Sequence, residues 1–216
     1  MKGEKTLKLR AGFSLTELTV VMAIILIVSG LSFPSLSRVI DTVRVKTAAQ
    51  QAASLYQQAR IRAAQDDTYY NIVASGPNAL CMDLDGNGAC DPNDPATTLS
   101  GGAVLSNAGI PVQLDATVLG FAPLNTESST TYTSQGNVVS SLAWNSRGLP
   151  CQKLSSTSPC SNWLASGPNG GGPFGWIQYV QLQRSGATLY AAVVVSPAGK
   201  IKIWNYAPDG NGVSWR

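Results

Sequence analysis

The chain has 216 residues, with 15 lysines and arginines against 12 aspartates and glutamates and a hydrophobic share of 44%. That is the range of one folded domain with a long element attached. The formal charge of +3 resides in residues 1–12, where Lys2, Lys5, Lys8 and Arg10 outweigh Glu4; from Phe13 onward basic and acidic side chains balance at eleven each. A neutral body lacks the clustered positive charge that releases counterions from nucleic acid or anionic membranes. The absence of histidine removes the commonest general base, nucleophile activator and transition-metal ligand.

Residues 1–12 are short and basic, end in Ala11-Gly12, and abut an apolar stretch from Phe13 to Phe33 broken early by Glu17. This has the form of a targeting segment. A secretory signal ends its apolar region with a small-residue cleavage site, whereas a cut after Gly12 leaves the apolar stretch attached. Glu17 is the costly residue, because a carboxylate in hydrocarbon costs about 2.5–3.5 kcal/mol on insertion scales and a simple anchor offers it no partner.

Beyond Pro34, which removes a backbone donor and loosens a helix, apolar residues recur at spacings of three and four. They are Leu36, Val39, Ile40, Val43, Ala48, Ala52, Leu55, Ala59 and Ala63, with polar residues between them. This is amphipathic helix periodicity, and a helix over 13–65 would be about 80 Å long at 1.5 Å per residue. The alanine-rich stripe suits a helix lying on a sheet better than a coiled coil.

From Tyr69 the period shortens. Segments 69–73, 138–144, 176–182, 189–195 and 200–204 are expected as strands between Gly, Pro, Ser and Asn clusters. Ser196-Pro197-Ala198-Gly199 is expected to turn the last two into a hairpin that ends the chain. Residues 76–133 are polar and turn-rich and give no clear assignment. The fold class expected is α+β: a long N-terminal membrane-spanning helix packed on a mostly antiparallel β-sheet head. Its parts are a leader over 1–12, a helix over 13–65 with 13–33 crossing the membrane, and a β-rich globular head over 66–216.

Asp83, Asp85, Asn87, Ala89 (through its carbonyl), Asp91 and Asp94 fall at the ligand positions of an EF-hand-type calcium loop, with Gly88 at the sixth place. Asp94 replaces the usual bidentate Glu, and Pro92 and Pro95 oppose an exiting helix. The choice therefore lies between an isolated calcium loop and a solvated turn of residues that favour turns for local reasons. Four cysteines, Cys81, Cys90, Cys151 and Cys160, allow three disulfide connectivities, of which the two local pairs, 81 with 90 and 151 with 160, are favoured in an exported chain. Arg147, Lys200 and Lys202 are candidates for contact with DNA, against the simpler reading of scattered surface charge. No serine or cysteine has a histidine partner, and Gly170-Gly171-Gly172 lacks the lysine of a phosphate loop, so no catalytic residue and no required cofactor is assigned.

The stretch from Phe13 to Val28, with Gly12 before it, Phe13 at the new terminus and Glu17 four residues on, resembles the class III signal of type IV pilins and type II secretion pseudopilins. Pro34 fits the same pattern. The resemblance implies cleavage after Gly12 by a prepilin peptidase and N-methylation of Phe13. It implies a role for Glu17 in subunit register, through the terminal amine of a neighbouring Phe13. It also implies a single-pass protein of the bacterial inner membrane with its head in the periplasm. Its partners would be other pilins or pseudopilins and the inner-membrane assembly platform. Residues 56–64, Asn145-Ser146-Arg147-Gly148 and the late hairpin are similar, more loosely, to the minor pseudopilin group called GspH/FimT. The expected function is a non-enzymatic minor pilin or pseudopilin that primes or caps a filament. A DNA-uptake or adhesive pilin that binds its ligand through the head is the alternative, and a membrane-anchored enzyme is a third reading for which the sequence shows no catalytic residues.

Overall fold

The computed structural model describes residues 14–106, 108–112, 114, 116–127, 131–134, 137–139, 142–152, 161–162, 174–184, 187–209 and 212–215, parts of them by backbone alone. The chain divides into two compact units, Met1–Ile40 and Asp41–Arg216.

One helix, α1 (Leu15–Gln65), runs through both units and continues past Pro34. Ser14 caps it: the Glu17 N–H donates to the Ser14 carbonyl at 3.1 Å and to Ser14 Oγ at 3.4 Å, satisfying donors that a helix start otherwise leaves open. In the first unit, every residue from Leu15 to Gly30 is exposed, including Leu18 at 56%, Ile25 at 52% and Leu26 at 73%. Among the described residues no helix is long and apolar enough to cross a membrane. The expected span of 13–33 is only partly covered: Phe13 and the side chains of 31–33 lie outside the described residues. The stretch 15–30 alone rises about 24 Å, short of a hydrocarbon core of about 30 Å.

In the second unit the buried face of α1 begins at Val45 and continues through Ala48, Ala49, Ala52, Leu55, Tyr56, Ala59 and Ala63. The expected stripe holds from Ala48 onward, but Val39, Ile40 and Val43 are exposed. The sheet-facing side of the helix runs through 45, 48 and 52, and Val43 falls off that face at 3.6 residues per turn. Alanine at five fully buried positions allows the helix backbone to lie close to the strands, and Leu55 and Tyr56 fill the remaining space. Burying a large apolar side chain of this kind contributes about 1.5–3 kcal/mol.

The strands are β1 (Tyr70–Ala74), β2 (Ala79–Asp83), β3 (Ala96–Thr98), β4 (Val104–Leu105), β5 (Ala122–Glu127), β6 (Thr131–Ser134), β7 (Asn137–Val139), β8 (Leu142–Trp144), β9 (Pro150–Gln152), β10 (Ser161–Asn162), β11 (Phe174–Arg184), β12 (Ala187–Val195), β13 (Ile201–Asp209) and β14 (Gly212–Trp215). A short helix, α2 (Ala116–Leu119), precedes β5. The first sheet has the order β10-β9-β8-β1-β2-β3, and the second has β14-β13-β12-β11-β5-β6-β7 with β4 also paired to β11. Pairing is antiparallel except between β5 and β11, where Phe174 lies opposite Ala122 in a parallel ladder.

Two details depart from the sequence expectation. The expected strand over 138–144 is two strands in different sheets, β7 against β6 and β8 between β1 and β9. Leu142, Ala143 and Trp144 are all buried, so this segment has no solvent face and needs ladder partners on both edges. The β12–β13 hairpin forms around its turn, with the Gly199 N–H donating to the Ser196 carbonyl at 2.8 Å, but it does not end the chain. β14 pairs onto β13 with Tyr206 opposite Trp215, covering an edge that would otherwise invite foreign strands.

The main core lies between α1 and the two sheets, joining Tyr56 and Leu55 to Ile72, Met82, Leu142 and Trp144 of the first sheet and to Trp176, Val180, Leu182 and Val193 of the second. The opposite face of the second sheet carries a smaller core, in which Leu114, Leu119 and Phe121 cover Ile177, Tyr179 and Val194.

Candidate functional site

Of the N-terminal site residues, Gly12 and Phe13 lie outside the described residues. Glu17 is exposed in the first turn of α1, and its carboxylate has no hydrogen bond or ion pair among the described residues. The side chains around it, from Leu15 to Val28, form a mostly apolar helix surface that no described residue covers. Such a surface marks contact with lipid or another protein. Burying a carboxylate on such a surface is costly unless a cation is buried beside it.

The acidic loop between β2 and β3 is closed by its own hydrogen bonds. Asp83, 1% exposed, accepts the Gly86 N–H at 2.7 Å on one oxygen and the Gly88 N–H at 2.8 Å on the other. These charge-assisted bonds compensate its burial. The Asn87 amide donates to Asp85 at 2.9 Å and to Asp91 at 2.6 Å, and the Ala89 N–H donates to Asn87 Oδ1 at 2.7 Å. Asp94 accepts the N–H groups of Leu84 and Asp91 at 3.1 and 2.9 Å. Among the described residues no group of three or more acidic or cysteine side chains is arranged to hold a metal ion. A Cys81–Cys90 disulfide pins the loop to β2. Cys151 is also disulfide-bonded, and Cys160 lies outside the described residues.

Two of the three candidate basic residues, Arg147 and Lys200, lie on or next to two turns that meet beside Arg60 of α1. Arg60 donates from Nη1 to the Gly199 carbonyl at 2.8 Å and stacks over the Trp144 ring at 5.7 Å. Gly199, at φ +79°, would place a Cβ 3.0 Å from the Gly148 carbonyl oxygen and 3.3 Å from Trp144, so only glycine fits this crossing. Arg147 and Lys200, both exposed, therefore flank touching turns, while Lys202 lies further along β13 with its ammonium 3.6 Å from the Trp204 ring centroid. Sequence reasoning did not single out Arg60. Its signal was present, since it follows Tyr56 by four residues and precedes Ala63 by three, on the buried stripe.

Residues 7–33 match the family model described as the prokaryotic N-terminal methylation motif. No curated protein and no solved structure matches the chain.

Proposed function

We propose that this chain is a pilin- or pseudopilin-like subunit that works by assembly and performs no catalysis. A prepilin peptidase cuts between Gly12 and Phe13, and Phe13 is N-methylated. Residues 13–33 hold the chain in the bacterial inner membrane as a single pass, with residues 66–216 as a periplasmic head. Within an assembly, Glu17 meets the terminal amine of a neighbouring subunit's Phe13. That contact neutralises a carboxylate that is otherwise costly in an apolar bundle and sets the axial register between helices. The looser similarity of residues 56–64, 145–148 and the late hairpin to minor pseudopilins favours a component that primes or caps a filament on the inner-membrane assembly platform.

The observation that carries this reading is the methylation-motif match at residues 7–33, of which the described residues 15–30 form an exposed, mostly apolar stretch of α1 with Glu17 as its one charged side chain. Intact mass of the protein from membranes, with and without a co-expressed prepilin peptidase, tests it. The expected product lacks residues 1–12 and carries one added methyl group. An uncleaved chain, or one cut beyond the apolar stretch, would overturn the reading.

A further inference from the structure

The face of the second sheet turned away from α1 carries a groove that the assembly reading does not use. Along β13 the side chains alternate. Ile201 and Ile203 pack toward the main core, whereas Lys202 and Trp204 point the other way, opposite Val194 and Ala192 of β12. The segment carrying α2 lies over these strands, with Leu119 and Phe121 packed beside Val194 and Trp204. Between segment and strands is a groove of about 310 Å³, with Val118, Leu119, Phe121 and Val194 as its floor and Lys200 and Lys202 at its rim.

The floor is set by the backbone. A Cβ on Gly175 would lie 2.1 Å from Phe121, so the Phe121 ring rests directly on β11 and Gly175 makes room for it. The rim is cationic: Lys200 and Lys202 are exposed and neither is ion-paired among the described residues. No acidic side chain is among the described residues that line the groove.

We propose that this groove binds an acidic peptide segment, which seats one apolar side chain on the floor and sets carboxylates against Lys200 and Lys202. An apolar concavity with a few converging polar groups is the usual form of a ligand site, and this volume is at its small end, suited to a single side chain. Nucleic acid fits less well. The Lys202 ammonium already covers the Trp204 face that a base would stack on, and the chain beyond residue 12 carries no net charge. The inference does not depend on the assembly reading.

The test uses the full-length chain in detergent, with fluorescence polarisation of three short labelled probes. One is a peptide alternating glutamate and leucine, the second has glutamine in place of each glutamate, and the third is a single-stranded oligonucleotide. The glutamate peptide should bind, and binding should weaken about tenfold on passing to the glutamine peptide or to the Lys200→Ala/Lys202→Ala double variant. Val118→Asp, at an exposed position on the floor, should weaken it similarly while leaving the melting temperature unchanged. No binding of the glutamate peptide, equal binding of both peptides, or binding indifferent to the lysine substitutions would overturn the proposal. Tighter binding of the oligonucleotide, lost in the same variants, would overturn it in favour of a nucleic-acid site.

Discussion

The two halves of α1 share one helix and use apolar residues to opposite ends. Between Leu15 and Gly30 the apolar side chains are mostly large and all exposed, whereas between Val45 and Ala63 they are mostly alanine and buried against two sheets. Large exposed side chains offer area to a partner that the described residues do not supply. Small buried ones let a helix approach a sheet closely, where stability comes from close packing. The difference teaches that hydrophobicity along a helix does not reveal which part is core; side-chain size and the partner at hand decide.

The sharpest way to break this comparison is to place a carboxylate on each half. Ala52→Asp puts an unpaired charge at a fully buried position and should cost the head about 3–5 kcal/mol, seen as loss of its cooperative melting transition. Ile25→Asp, on the exposed half, should leave that transition where it is and instead release the protein from the membrane pellet on sedimentation. Equal loss of melting in both variants would mean that the halves are energetically one body.

A smaller effect is expected from the loop between β2 and β3. The Cys81–Cys90 link spans a separation of 9 residues, for which chain entropy gives about 2.5 kcal/mol. Replacing both cysteines by serine should lower the head's melting temperature accordingly in denaturation experiments, without altering cleavage or membrane retention. An unchanged melting temperature would show that the hydrogen bonds of Asp83 and Asn87 hold the loop by themselves.

The smallest effect is a dependence on pH. Burial pushes the Tyr56 phenol well above its ordinary range, with a contact to the Trp176 side chain pulling weakly the other way, and burial raises Tyr179 as well. The folded head thus keeps protons that the unfolded chain releases near pH 10. The stability they contribute is complete below pH 10 and declines above it, by up to about 1.4 kcal/mol per pH unit for each such tyrosine. Melting temperatures between pH 9 and 11 should therefore fall less steeply in Tyr56→Phe than in the wild type, and parallel slopes would contradict the assignment.

Local chemistry made several elements legible. Three- and four-residue spacing marked the buried stripe from Ala48 to Ala63, β-branched and aromatic runs marked β11, β12 and β13, and Ser196-Pro197-Ala198-Gly199 marked their turn. The Cys81–Cys90 pair was among the connectivities favoured from sequence. The segment 76–133 was opaque because its strands are short and of mixed character. β2 joins Leu80, Cys81 and Met82 to the buried Asp83, and β4 has two residues, too few to show alternation.

By itself, then, the sequence determined the N-terminal motif, the long helix and the antiparallel hairpin, because each depends on residues near one another along the chain. Only the tertiary structure decided that Arg60 ties Gly148 and Gly199 together, that β5 joins β11 in parallel, and that Phe121 lies on Gly175 to floor a lysine-rimmed groove. Those contacts join residues scores of positions apart, and no local propensity encodes a pairing whose partner is chosen by packing.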